Sequence, residues 1–178
     1  MNNKIYSFKK EKPANSFGWL FILSFVVILF LVPSILLVKI QLPFEQKIIN
    51  LLPSFIIGGG IGSFFLIYVI IFFTMEYTCT EEQLIIKCGW YKKIIKYEQI
   101  KNVSIENLFV NPLADTQGFI KFPGYALGNV DYLDRGRIYM CATRVNKNIL
   151  LLYLKNGEKV GITPKNLEEF KEFLIEKA

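Results

Sequence analysis

The side chains able to do chemistry in this 178-residue chain are few and poorly placed for it. There is no histidine, so His-based triads and His-ligated metal sites are excluded. The three cysteines, Cys79, Cys88 and Cys141, include no CxxC pair, and each lies in an apolar, strand-like run. That setting fits core packing better than a nucleophile. An odd number without ligand spacing points to buried free thiols in a reducing compartment, with one disulfide plus one thiol as the alternative. The carboxylates adjacent in sequence, Glu81-Glu82 and Glu168-Glu169, read as solvated charges. No glycine-rich loop leads from a strand into a helix, the arrangement that cradles phosphate. The expectation is a protein without catalysis, cofactor or metal.

Composition explains the scarcity. Apolar residues make up 52% of the chain and charged ones 20%, an average over two unlike parts that meet near Met75. The first 75 residues hold six lysines against two glutamates, a surplus of four, and the rest of the chain carries the other two of the net +6. The excess thus sits beside the apolar segments, and no basic stripe supports nucleic-acid binding.

Ser16 to Val38 is a run of 23 residues without a charge, and Ile48 to Met75 is a second, broken by Pro53 and a glycine cluster. At about 1.5 Å per residue each spans a hydrocarbon core of roughly 30 Å as a helix. Backbone groups in lipid must bond internally, which requires that helix. The first run is longer than a signal-peptide core and has no small-x-small cleavage site. Lys9, Lys10 and Lys12 precede it, so the positive-inside rule keeps the N-terminus cytoplasmic, and two crossings return the C-terminus to the same side. Gly58 and Gly62 in the second run are spaced as GxxxG, which suits packing against the first helix or, alternatively, a homo-oligomer contact. The resulting division is a basic cytoplasmic segment over 1–15, a transmembrane hairpin over 16–74 (helices at about 16–38 and 49–74), and a β domain over 75–178.

Beyond Met75 the period changes from helical to alternating. Glu76–Cys79 and Leu84–Cys88 flank the polar turn Thr80–Gln83, the pattern of a hairpin. Strands are predicted from Tyr91, from Asn102, over Arg137–Thr143 and over Ile149–Leu154. The Asn156-Gly157 turn then leads to a return strand at Lys159–Ile162. Asn166 followed by Glu169 has the form of a capping box, and Leu167, Phe170 and Leu174 recur at helical spacing. About seven short strands closed by one helix form a partly open barrel, since small sheets must cover their edges.

Five segments together resemble the bacterial pleckstrin-homology-like (PH-like) domains that follow membrane helices. They are YTCTEEQLIIKCG near residue 77, YEQIKNVSI from Tyr97, FPGYALGNV from Phe122, GRIYMCATR from Gly136 and LKNGEKVGITPKNLEEF from Leu154. The resemblance covers roughly residues 75 to 177. It implies a bent seven-stranded sandwich with a C-terminal capping helix, and a module that binds rather than catalyses. Eukaryotic relatives grip phosphoinositides through Lys and Arg around the first hairpin, whereas Thr80-Glu81-Glu82-Gln83 here is acidic and would repel phosphate. Some small bacteriocin immunity proteins look similar, which gives an alternative reading as a resistance protein against a membrane-active peptide. Fold alone does not decide between them.

The long, poorly periodic stretch from Leu108 to Leu133 is where binding is expected. Phe119, Phe122, Tyr125 and Tyr132 could form a partner surface or dip into the lipid interface beside Lys121, although the favoured reading is that these aromatics fill the small core. Arg135, Arg137 and Arg144 could contact acidic headgroups at about 1 kcal/mol each. The expected partners are the bilayer and an unidentified protein, at a bacterial cell membrane.

Overall fold

The computed structural model describes residues 9–14, 18–39, 43–111, 120–122 and 125–178. It divides into a helical unit over residues 19–70 and a β-rich unit comprising the rest.

Helix α1 runs Gly18–Lys39 and helix α2 runs Phe44–Phe73. Both follow the predicted apolar segments. α2 begins earlier than expected, with Glu45 in its first turn, where a carboxylate complements the helix dipole. Gly62 is buried, and a Cβ there would come within 2.9 Å of the Phe30 ring. The glycine therefore serves contact between α1 and α2, beside the edge-to-face pair Phe25–Phe65 at 5.0 Å. The surroundings of Gly58, one turn earlier, lie outside the described residues. Among the described residues no helix is long and apolar enough to cross a membrane, so that criterion gives the expected transmembrane hairpin no support.

The β unit holds two sheets. Strands β1 (Lys9–Glu11), β2 (Glu76–Cys79), β3 (Gln83–Cys88) and β4 (Tyr91–Lys96) pair in sequence order as an antiparallel meander. A 3-10 turn, Tyr97–Gln99, leads to the second sheet. Its strands are β5 (Ile100–Glu106), β6 (Ile120–Phe122), β7 (Tyr125–Tyr132), β8 (Gly136–Ala142), β9 (Ile149–Leu154) and β10 (Lys159–Ile162). They lie in the order β5-β9-β10-β8-β7-β6, with β10 and β8 parallel. An isolated antiparallel bridge joins Val110, after β5, to Tyr132 at the end of β7. Helix α3 (Leu167–Lys177) follows.

Alternation does the packing. On β3, Leu84, Ile86 and Cys88 are buried while Lys87 is exposed. Central strand β9 is buried almost throughout, as its unbroken apolar run ILLLYL requires. Phe170 and Leu174 on α3 are fully buried, and the Phe170 ring lies 6.3 Å from Tyr77.

The β-rich fold with a C-terminal helix agrees with expectation, but four details do not. First, there are ten strands among the described residues rather than about seven. β7 occupies part of a stretch expected to be loop; its Gly128 (φ 106°) faces Met140 across the ladder, so it is a strand residue, not a turn. Second, Cys88 and Cys141 are joined by a disulfide that links the two sheets, their Cα atoms 6.8 Å apart, while Cys79 is buried and keeps its thiol. Three free thiols are the first expectation and one disulfide plus one thiol its alternative; the alternative is what the structure holds, so the step from free thiols to a reducing compartment has no support. Third, the N-terminal segment is part of the domain. Lys10 pairs with Thr78 and Glu11 with Tyr77. Ala14 N–H donates to Thr163 O at 2.7 Å, and the buried Thr143 hydroxyl donates to Ala14 O at 2.8 Å. Fourth, Asn166 caps α3 without a side-chain bond. Its backbone N–H instead donates to the buried Glu11 carboxylate at 3.0 Å. A strand from the far end of the chain supplies the carboxylate expected of Glu169, and that charge also faces the positive end of the helix dipole.

Replacing Glu11 with alanine leaves the Asn166 N–H without its acceptor and is expected to cost about 1–3 kcal/mol. The thermal midpoint of the full chain in detergent micelles should fall, and less so for Glu11→Gln. An unchanged midpoint would mean that the N-terminal strand does not hold the helix.

Candidate functional site

The predicted surface residues separate into two groups at opposite ends of β8. Lys121 and Phe122 lie in β6, and Tyr125 opens β7 opposite Phe122. The ladder places Ala126 against Ala142, so this hairpin end is level with the end of β8 that leads to Arg144. Phe119 and the side chains of Lys121, Phe122 and Tyr125 lie outside the described residues, and Tyr132 is no surface residue: its ring is buried and its hydroxyl donates to Val145 O at 2.7 Å. Arg135 and Arg137 sit at the other end, in and just after the β7–β8 turn. Arg137 and Arg144 are seven positions apart, roughly 23 Å along an extended strand. One continuous basic patch is therefore not formed.

Two of the three arginines are also engaged within the domain. Arg135 Nε donates to Glu106 Oε2 at 2.6 Å, and Arg137 Nε to Asp131 Oδ1 at 3.4 Å. Glu106 is the hub. It accepts from Ser104 Oγ at 2.6 Å and Tyr153 Oη at 2.8 Å as well, and Lys159 Nζ reaches the Arg135 carbonyl. Partial burial pushes the Glu106 carboxyl upward, but the bonds from Ser104, Arg135 and Tyr153, with the Arg135 charge, outweigh it and hold the group below its ordinary range. Burial and the bond to Glu106 push Tyr153 up. This cluster fastens the β7–β8 turn to β5 and β9. Arg135 thus positions the turn, a role that the spacing of residues 106, 135 and 153 could not have announced. Above it, Phe109 and Leu133 are exposed and joined by a backbone bond from Leu133 N–H to Phe109 O at 2.9 Å.

A cleft of about 630 Å³ opens where β4 and the 3-10 turn face the β9–β10 turn. Buried Ile95 and Leu154 form its floor, with Lys93, Glu98, Gln99 and Asn156 around it. Lys93 Nζ lies 3.0 Å from Glu158 Oε2 and 5.0 Å from the centre of the Tyr139 ring. That bond and charge hold the Glu158 carboxyl below its usual range. With both signs of charge over an apolar floor, the cleft suits a mixed polar partner such as a peptide segment better than a bare anion. Among the described residues no group of three or more His, Cys, Asp or Glu could hold a metal ion.

A family model described as "Bacterial PH domain" matches residues 75–178, more than half of the chain. Searches of curated proteins and of solved structures gave no match.

The depressed Glu106 carboxyl sets a pH dependence. Its stabilising contribution is complete above the ordinary glutamate value of 4.5 and is lost as pH falls through the lower folded value. The unfolding free energy of the wild type should therefore exceed that of Glu106→Gln by a constant amount at neutral pH, and the gap should close in acid. A gap that persists unchanged in acid would contradict the network.

Proposed function

The chain belongs to the bacterial PH domain family, and from that premise we propose a membrane-tethered, non-enzymatic binding module. The α1–α2 hairpin holds the β domain at a bilayer, where the domain engages a protein partner or the membrane surface. The observation that carries the reading is the charge-poor, apolar surface of the two helices, and the pairing of β1 with β2 sets the topology it would have. β1 precedes α1 and β2 follows α2, so a path through a bilayer that starts from one must come back to the other. Two crossings satisfy this and one does not.

The composition of the helices supports the tether. α1 carries one charge in 22 residues, Lys39 at its end, and at 1.5 Å per residue extends roughly 33 Å. Large apolar side chains stand exposed along both helices, among them Ile28, Leu31, Ile56, Ile57, Phe64 and Ile70. In water such a surface is a liability, and in lipid it is the matching solvent. Tethering raises the effective concentration of the domain at the membrane, so contacts too weak for a free domain become populated. For a protein partner the β4–β9/β10 cleft offers the better-formed surface, since Arg135 and Arg137 already hold carboxylates. The immunity reading gains no observation beyond the resemblance that suggested it.

Density flotation of the full chain with phospholipid vesicles, after an alkaline wash, should carry it to the lipid layer. Recovery in the lipid-free fraction would overturn the tether. Reporters fused to the two termini should lie on the same face of the membrane, and opposite faces would contradict the β1–β2 pairing.

A further inference from the structure

The β3–β4 hairpin carries a feature that neither the family match nor the expected sites account for. Its turn is Gly89-Trp90, two residues between the register partners Cys88 and Tyr91. Gly89 has φ +62°, which fits a glycine at the first central position of a tight hairpin turn. A Cβ at Gly89 would come within 2.8 Å of Ile71 Cγ1. The turn is thus packed against Ile71, in the last turn of α2, which ends at Phe73. Trp90 itself is 77% exposed, the most exposed large apolar side chain among the described residues.

The outer face behind the tip is cationic. Lys87 and Lys92 are both exposed and sit directly opposite each other across the ladder. Like charges in that arrangement destabilise a sheet unless an anion covers them. Glu76 lies across from Lys87 on its other side, but it is bonded to Lys10 at 2.8 Å, so the face keeps a positive surplus. Next along the face comes Ile94, about half exposed, opposite Ile85.

We infer that the Gly89-Trp90 hairpin is an interfacial anchor: Trp90 inserts at the headgroup level of the bilayer while Lys87 and Lys92 contact anionic lipid. The inference rests on the tether proposed above, because the end of α2 is then the point where the chain leaves the hydrocarbon. A turn packed on that end is held at the depth where tryptophan is favoured, with an apolar ring inward and an indole N–H toward water. Lysines two residues to either side of the turn meet the negative surface potential there. The acidic first hairpin, Glu81-Glu82, is not part of this surface.

The chain has two tryptophans, Trp19 and Trp90, so Trp19→Phe leaves Trp90 as the sole reporter. The full-length variant is reconstituted into phosphatidylcholine vesicles with and without phosphatidylglycerol. The expected result is blue-shifted Trp90 emission, quenching by lipids brominated near the headgroup, protection from aqueous acrylamide, and a further blue shift with phosphatidylglycerol. Lys87→Glu with Lys92→Glu should abolish that further shift. Trp90 emission that stays red and fully acrylamide-accessible would overturn the anchor. The companion variant Trp90→Phe keeps the outcomes distinct. If its Trp19 is quenched by brominated lipid while Trp90 is not, the tether stands and the anchor fails. If neither is quenched and the protein does not float, both fail. Trp90 quenching that is indifferent to phosphatidylglycerol and to the lysine reversals would overturn the anionic contact.

Discussion

The structure depends on an antiparallel pairing between two strands that lie on either side of the helices. β1 is three residues long and has little to bury of its own. Its place is fixed by backbone bonds to β2 and by the contacts that follow from them: Ala14 with Thr163, Thr143 with Ala14, and Glu11 with the N–H of Asn166, the N-cap of α3. Several of these groups are buried, where an unsatisfied partner costs far more than a surface bond returns. The pairing adds the outermost strand to the four-stranded sheet, brings Glu11 to the N-cap of the C-terminal helix and joins the segments before α1 and after α2 in one sheet.

β1 also manages an exposed edge. A long flat edge strand invites association with other chains, and lysines and proline are the usual deterrents. Here the edge consists of Lys9-Lys10-Glu11, followed by Pro13, which forms an isolated bridge to Pro164. The same lysines that a hydropathy argument takes as a topology signal are therefore structural members of the sheet. The two roles are compatible, since a lysine on an outer edge keeps its charge in water.

What could be read from the sequence was whatever local periodicity determines. The charge-free runs gave α1 and α2. Strand-like runs and the Asn156-Gly157 turn gave β2, β3, β4, β5, β8, β9 and β10, and Leu167, Phe170 and Leu174 gave α3. The family resemblance located the domain at 75–178. What escaped depends on distant partners. Lys9–Glu11 has no strand pattern and becomes a strand only by pairing. Tyr125–Tyr132 was hidden because Gly128-Asn129 has turn composition. The Cys88–Cys141 link spans 53 residues, and the α3 cap comes from 155 residues away. The candidate site suffered most: Arg135 looked like a headgroup contact in sequence and proves to be the partner of Glu106.

The fold requires residues 9–14 to be part of the β domain in the intact protein. Amide hydrogen exchange on the full chain in phospholipid vesicles tests this directly, through Ala14 N–H, which donates to Thr163 O. Protection of that amide comparable to the β2 amides is the expected result. Exchange at the rate of an unstructured peptide, with β2 still protected, would contradict the pairing and with it the return of both helix ends to one domain.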